Sequence, residues 1–332
     1  MIRKYNIPIF IPEAACPSKC IYCDQKIISG HSYLPSKDFI IEEINKRLLT
    51  FKRPCEIEIA FFGGNFTGLS FEKQKFYLDI AYEYYTKDLI SGIRFSTRPD
   101  FIDYHKLKFL INYPVKTIEI GAQSFDDEVL MQSFRGYDSK EIYKAAELIN
   151  DFGFNLGIQL MLGLPKDNKH KDLFSFNQAI KLKAKEIRIY PTIVLKNSYL
   201  ERLYYQRKYA PLEIDETINI LKEIFLLADN KNVKIIKVGL QITDELKKNF
   251  VAGPLVPSLK EKALSEIWLD TFKSFNFDKT KTKTTIYTSS EELNYAIGYE
   301  AMNKKYLKEQ YKIVEFKLDK SLKKREFYVL YN

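Results

Sequence analysis

Ile7-Pro8-Ile9-Phe10-Ile11 leads into Cys16-Pro17-Ser18-Lys19-Cys20-Ile21-Tyr22-Cys23, and from Ser36 onward the apolar positions Phe39, Ile40, Ile44, Leu48 and Phe51 fall at helical spacing. The first run is short, apolar and restricted by proline to an extended path, so it reads as a buried strand. Ser36 stands where a helix N-cap belongs. The chain therefore opens as strand, cysteine-bearing loop and helix.

Working outward, the same unit recurs. Pro54 closes the first helical region. Glu56-Ile57-Glu58-Ile59-Ala60-Phe61-Phe62 then begins with alternation and ends fully apolar before Gly63-Gly64-Asn65-Phe66-Thr67-Gly68. Glycines directly after a strand let backbone approach a ligand closely. A helix over 70–87 precedes a strand over 93–97 and the phrase Arg98-Pro99-Asp100; a helix over 103–111 precedes a strand over 117–121 and Ala122-Gln123-Ser124-Phe125. A helix beginning at 126 ends near Arg135-Gly136-Tyr137, and an amphipathic helix covers 139–152. A strand over 155–161 enters Leu162-Gly163-Leu164-Pro165, and a helix over 171–184 leads to a sixth strand over 186–192. Six strand-helix units with short loops predict parallel strands joined by right-handed crossovers. Polar and glycine-rich residues recur at the C-terminal strand ends, the edge where barrel enzymes keep their chemistry. A doubly wound sheet would alternate in the same way, but no G-x-G-x-x-G follows the first strand, which favours a barrel.

After residue 195 the rhythm turns helical, over 198–207 and 213–230, with Ile214, Ile218, Leu221, Phe225 and Ala228 on one face of the second helix. A short apolar strand over 234–240, a rigid loop over 251–257 and a long helix over 258–275 follow. Residues 278–284 form a polar link to a tail with strands at 285–288, 312–318 and 325–331 and a helix over 291–310. The expected organisation is a barrel core over 1–195, a helical extension packed on it over 196–277, and a small α+β module over 285–332.

The chain has 332 residues, enough to bury about three quarters of its unfolded surface in one large or two medium domains. It contains no apolar run of about 18 residues and opens without a signal-peptide core, so a cytoplasmic protein with no membrane span is expected. Three of its four cysteines are clustered, which argues for metal binding in a reducing compartment rather than a disulfide framework. A net charge of +9 suits a polyanionic partner such as RNA, although abundant Lys, Ile, Asn and Tyr also fit the codon usage of an AT-rich genome.

Three thiolates at spacings of four and three on one loop can face a single centre, as in iron-sulfur proteins, where full ligation takes four. Cys55 lies at the mouth of a strand, and His31, His105 and His170 are scattered, so no fourth ligand is evident. From the cysteines alone, a zinc site with four Cys or His ligands is the alternative.

The pattern CxxxCxxC, with Tyr22 before the last cysteine, resembles the signature of the radical S-adenosylmethionine (radical SAM) superfamily. Residues 61–67, 96–100, 119–125 and 163–165 sharpen the resemblance. Together they look like the radical SAM domain of the Elongator catalytic subunit and its shorter bacterial relatives across residues 5–260. The oxygen-independent coproporphyrinogen oxidase family shares the Gly-x-Gln-Ser and Gly-Leu-Pro elements.

The resemblance implies an α/β fold, a partial (β/α)6 TIM-type barrel with a C-terminal helical extension and a small α+β tail. It implies that Cys16, Cys20 and Cys23 hold a 4Fe-4S cluster whose open iron is chelated by S-adenosylmethionine. Gly63, Gly64 and Asn65 match the turn that meets the cofactor's methionine, where many members carry Gly-Gly-Glu. Ser96 stands where close relatives often have Glu. Gln123, Arg135 and Gln159 match contacts to ribose and carboxylate, and Tyr190 completes the expected cofactor set.

The implied chemistry is a 5'-deoxyadenosyl radical formed with an electron from ferredoxin or flavodoxin and directed at a wobble uridine of tRNA. The alternatives are a radical enzyme acting on a small molecule or a tetrapyrrole, and a non-catalytic cluster carrier. Lys181, Lys183, Lys185 and Arg188 around the sixth strand, and Lys320, Lys323, Lys324 and Arg325 in the tail, are candidate phosphate contacts. The Elongator subunit's acetyltransferase domain has no counterpart in the residues after the polar link, so acetyl transfer on this chain is not expected.

Overall fold

Seven strands lie side by side in one parallel sheet, in almost the order in which the chain makes them: β1 (Arg3–Ile11), β2 (Cys55–Gly63), β3 (Gly92–Thr97), β4 (Val115–Gln123), β5 (Asn155–Leu162), β6 (Glu186–Pro191) and β8 (Lys234–Val238). The structure is a computed structural model and describes residues 3–11, 15–17, 19–24, 27–28, 33–231 and 233–331; Ser18 and His31 lie outside these. A doubly wound sheet starts near its middle and reverses direction at a switch point. Here each strand is laid on the far side of its predecessor, which is the path of a barrel wall. Among the described residues β1 and β8 are not paired to each other, so the wall is a partial barrel. The seventh strand is the apolar run the sequence places outside the six units.

Each crossover helix begins on a polar cap. Ser36 accepts from Phe39 N at the start of α1 (Lys37–Leu48), Ser70 from Lys73 N before α2 (Phe71–Tyr85), and Asp103 from Lys106 N before α3 (Tyr104–Leu110). Asp126 caps α4 (Asp127–Gln132), Asp138 caps α5 (Ser139–Asp151), and Asn168 caps α6 (Lys169–Lys181). Each such cap satisfies an orphan amide and is worth about 1 kcal/mol. One face of the strands is apolar throughout: Ile59, Phe95, Ile118, Ile158 and Ile189 share it by register and are all fully buried.

β1 and β2 run in register from Arg3 opposite Cys55 to Ile11 opposite Gly63. The cysteine loop and the Gly63 turn thus leave the sheet at the same edge. Cys55 begins β2, so it lies about 25 Å away along the strand at the opposite edge.

The chain forms two compact units, Met1–Glu213 with Ala228–Leu255, and Ile214–Leu227 with Val256–Asn332. The first also contains α7 (Tyr199–Tyr205), α9 (Asp244–Asn249) and an antiparallel pair of β7 (Val194–Leu195) with β9 (Phe250–Ala252). The segment expected to be a rigid loop from 251 therefore begins as a strand. Helix α8 (Ile214–Lys231) contributes residues to both units.

In the second unit, β10 (Lys283–Thr288) lies between β11 (Ile313–Leu318), parallel to it, and β12 (Phe327–Tyr331), antiparallel. Trp268 and Phe272 of α10 (Leu259–Ser274) bury with Phe277, Ile286 and Tyr311, and Trp268 Nε1 donates to Glu292. The single helix expected over 291–310 is broken into α11 (Leu293–Ile297) and α12 (Met302–Lys308). Gly298 turns the chain at φ 90°, Tyr299 N donates to Ser265 Oγ, and Asn303 Nδ2 donates to the carbonyls of Ser265 and Tyr295. These ties to α10 replace the bonds a continuous helix would make. No helix among the described residues is long and apolar enough to cross a membrane.

Candidate active site

The C-terminal strand ends bring the cysteine loop against three other segments of the same unit. Ile21 N donates to the Ser133 carbonyl beyond α4, and Leu200 N of α7 donates to the Ile21 carbonyl. Asn65, buried after β2, ties three loops at once. Its Nδ2 donates to the Ala15 carbonyl at 3.1 Å, while its Oδ1 accepts from Thr97 Oγ1 at 2.7 Å and Arg98 N at 3.2 Å. A Cβ on Gly68 would lie 2.3 Å from Asn65 Nδ2 and 2.8 Å from the Ala15 carbonyl, so this turn requires glycine. Gly63 takes φ 103°, a backbone state that L side chains avoid.

Arg135 is delivered to the loop by left-handed residues on both sides, Phe134 at φ 57° and Gly136 at φ 76°. Its guanidinium donates to Cys20 Sγ at 3.0 Å, to Tyr22 Oη at 3.2 Å, to the Gly121 carbonyl at 2.7 Å and to Tyr137 Oη. None of these contacts is a carboxylate. Burial works against its charge, but Tyr137, Tyr22 and Cys20 around it outweigh that and raise its pKa. Burial likewise pushes the Tyr22 hydroxyl well up, against the pull of Arg135, so both tyrosines beside the guanidinium stay neutral.

The Arg98-Pro99-Asp100 phrase acts behind Arg135. Arg98 forms a bidentate pair with Asp100, at 3.0 and 2.8 Å, and donates to the Arg135 carbonyl at 2.6 Å. Next along the edge, Gln159 Nε2 donates to Gln123 Oε1 at 3.2 Å, where β4 shifts register and Gln123 takes φ 69°.

Below this rim the interior of the wall is ionic rather than aliphatic. Arg94 of β3 contacts Glu186 at 2.8 Å, Glu119 at 3.3 Å and Glu58 at 3.5 Å. Glu119 also accepts from Arg188 Nε at 2.7 Å and from Ser96 Oγ at 2.8 Å. The Arg94 and Glu119 side chains are 4% and 2% exposed, so this is a buried network. Gly157 on β5, between Glu119 and Arg188, makes it possible: a Cβ there would stand 3.2 Å from Glu119 Cβ and Cγ, whose side chain crosses above it to Arg188 on β6. Burial raises the Glu58 pKa; Arg94 opposes this and Glu186 adds to it. Burial also opposes the Arg188 charge, but Glu119 and Tyr190 together outweigh it and raise its pKa, with Arg188 hydrogen-bonded to Tyr190 and 4.7 Å over the Phe62 ring.

The sequence-predicted residues thus fall into groups. Cys20 and Arg135 meet at the cysteine loop, Asn65 anchors that loop, and Gln123 meets Gln159. Ser96 and Tyr190 join the ionic layer. Arg188, expected to track phosphates, is buried in that layer, because Glu119 draws it inward. Lys185 precedes β6, at the edge opposite the cysteine loop. Sequence reasoning missed Arg94 and Glu119, whose inward register on alternating strands is their only signal.

Residues 11–176 match the family model described as the radical SAM superfamily, and residues 184–268 match the radical SAM C-terminal domain. The chain is 29% identical over 224 residues to an uncharacterised protein of Methanocaldococcus jannaschii, covering 66% of each chain. It is 22% identical over 301 residues to the tRNA uridine(34) acetyltransferase of Methanocaldococcus infernus, covering 79% of this chain and 55% of that protein. The fold is similar to that of the solved archaeal Elp3 of M. infernus, with a TM-score of 0.64 at 18% identity, over 82% of this chain and 64% of that one. The chain thus spans just over half the length of the M. infernus acetyltransferase and 66% of that of the M. jannaschii protein.

The cofactors of that family are a 4Fe-4S cluster and S-adenosylmethionine. The donor set suits them: Cys16, Cys20 and Cys23 lie on one loop, none of them in a disulfide, and sulfur is the ligand iron-sulfur clusters take. Among the described residues no three His, Cys, Asp or Glu side chains converge on a single-ion site. A buried guanidinium beside the loop suits an anionic ligand.

Proposed function

The chain belongs to the radical SAM superfamily, and on that premise we propose that Cys16, Cys20 and Cys23 hold a 4Fe-4S cluster whose open iron takes S-adenosylmethionine, in an enzyme that modifies the wobble uridine of tRNA. The observation that carries the cofactor part is Arg135. It is a buried cation, 3.0 Å from Cys20 Sγ, whose neighbours are hydroxyls, sulfur and a carbonyl, so an anionic group arriving at the loop completes its pairing. When bound, the cluster and S-adenosylmethionine supply a 5'-deoxyadenosyl radical after one-electron reduction; the protein supplies position and shelter.

In this reading Arg135 orients the cofactor's carboxylate, and the Gly63-Gly64 turn offers backbone carbonyls to its ammonium. Gln123 and Gln159 present an amide pair to the ribose. Asn65 acts by fixing the loop, since its two polar atoms are already engaged with Ala15, Thr97 and Arg98. Ser96 and Tyr190 border the cofactor from the ionic layer, whose closed set of charges gives the site a rigid floor.

The tRNA part is supported by the likeness to the M. infernus tRNA uridine(34) acetyltransferase and by the net charge of +9. A low-potential donor, ferredoxin or flavodoxin, in the cytoplasm completes the proposal. The test is anaerobic reconstitution and reduction with S-adenosylmethionine, scored by 5'-deoxyadenosine and by mass spectrometry of nucleosides from added tRNA. Cys20→Ala is expected to abolish 5'-deoxyadenosine; turnover by that variant would overturn the cluster assignment. Stimulation by a porphyrinogen instead of tRNA would move the substrate to the tetrapyrroles.

A further inference from the structure

The three-stranded sheet of the second unit buries one face and leaves the other open. Inward, Ile286, Val314 and Phe327 join the aromatic core around Trp268. Outward, the alternation of the strands puts Lys283, Thr285 and Tyr287 on β10, Ile313, Glu315 and Lys317 on β11, and Tyr328 and Leu330 on β12. Register pairs Tyr287 with Tyr328 on one side and with Lys317 on the other. The two tyrosine rings lie 4.7 Å apart and 8° from parallel, and Tyr328 is 39% exposed. They stack face to face, and this platform, which no core uses, leaves an outer ring face on which the stack can be continued.

Charge surrounds the platform. Lys283 and Lys317 share one acid, Glu315, at 2.9 and 3.6 Å, which leaves a positive surplus on the face itself. Tyr328 Oη donates to Asp319, which anchors the β11–β12 loop carrying exposed Lys320 and Lys323 beside the platform. Protein interfaces are depleted in lysine at their centres. Aromatic rings on an open sheet, flanked by cations, are what unpaired nucleotides stack on, with phosphates held at the margin.

We infer that the outer face of the β10–β11–β12 sheet binds an unpaired segment of the RNA substrate, stacking a base on the Tyr287–Tyr328 pair and holding phosphates with Lys283, Lys317, Lys320 and Lys323. This rests on the tRNA reading above and names a surface of the second unit that would grip the substrate.

The test uses the full chain and unmodified tRNA in binding titrations over a range of salt. The double variant Tyr287→Ala/Tyr328→Ala is expected to weaken binding about tenfold or more, as loss of base stacking does. Tyr287→Phe/Tyr328→Phe, which keeps the rings, should bind like the wild type. Lys320→Glu/Lys323→Glu should flatten the dependence of log affinity on log salt, because phosphate contacts set that slope. Reductive cleavage of S-adenosylmethionine without tRNA should be unchanged in all three variants, which also reports that they fold.

Unchanged tRNA affinity in the alanine variant would overturn the sheet assignment while leaving the tRNA reading standing. No tRNA binding by the wild type would overturn both. A concentration-dependent dimer abolished by Tyr328→Ala, with RNA affinity intact, would assign the face to a second copy of the chain.

Discussion

Arg94 and Arg135 are both buried arginines in the same barrel, and they are satisfied in opposite ways. Arg94 meets three carboxylates, Glu58, Glu119 and Glu186, between 2.8 and 3.5 Å. Arg135 meets a thiol, two phenols and a carbonyl, with its guanidinium 5.0 Å over the Tyr137 ring. The first is a closed account of charge, as expected of a group whose task is to hold strands together. The second is open toward the cysteine loop, as expected of a group that waits for a ligand. The difference teaches that burial of a charge marks a site only when its partners are counted.

The comparison can be broken experimentally. Arg94→Met removes the cation from a layer holding three carboxylates and is expected to cost about 3–5 kcal/mol in urea unfolding, with or without cofactor. Gly157→Ala places a Cβ against Glu119 and should cost about 1–3 kcal/mol, by pushing the carboxylate off Arg188. Removing the charge at Arg135 with Gln should leave the stability of the cofactor-free protein unchanged or higher. In that variant, S-adenosylmethionine binding to the reconstituted protein, measured by calorimetry, should weaken about tenfold, or ~1.4 kcal/mol. If Arg135→Gln destabilises the empty protein as Arg94→Met does, the distinction between the two arginines fails.

Much of the barrel was legible because one face of each strand repeats as buried apolar residues at every second position, as Ile93 and Phe95 or Leu156, Ile158, Leu160 and Leu162 do. The cysteine loop stood out because its three cysteines are local in sequence. The ionic layer was not, since Arg94 contacts residues 25 and 92 positions away, and only the curvature of the sheet brings them together. Arg188 looked like a surface cation among lysines for the same reason. The broken tail helix was hidden because Glu300 and Ala301 take left-handed backbone at φ 52° and 60°, although neither residue type advertises it. Ties from Asn303 and Tyr299 to α10 impose that turn, and no periodicity records them.

Asn65 also has a bearing on timing. Its amide joins Ala15, just before Cys16, to Thr97 at the end of β3 and Arg98 after it. The cysteine loop therefore takes its final form only after the chain through Arg98 has been made and its first three strands have paired. During synthesis the thiols emerge well before the groups that fix their loop, so on the reading proposed above a cluster would be received by a finished loop only after β3 is complete.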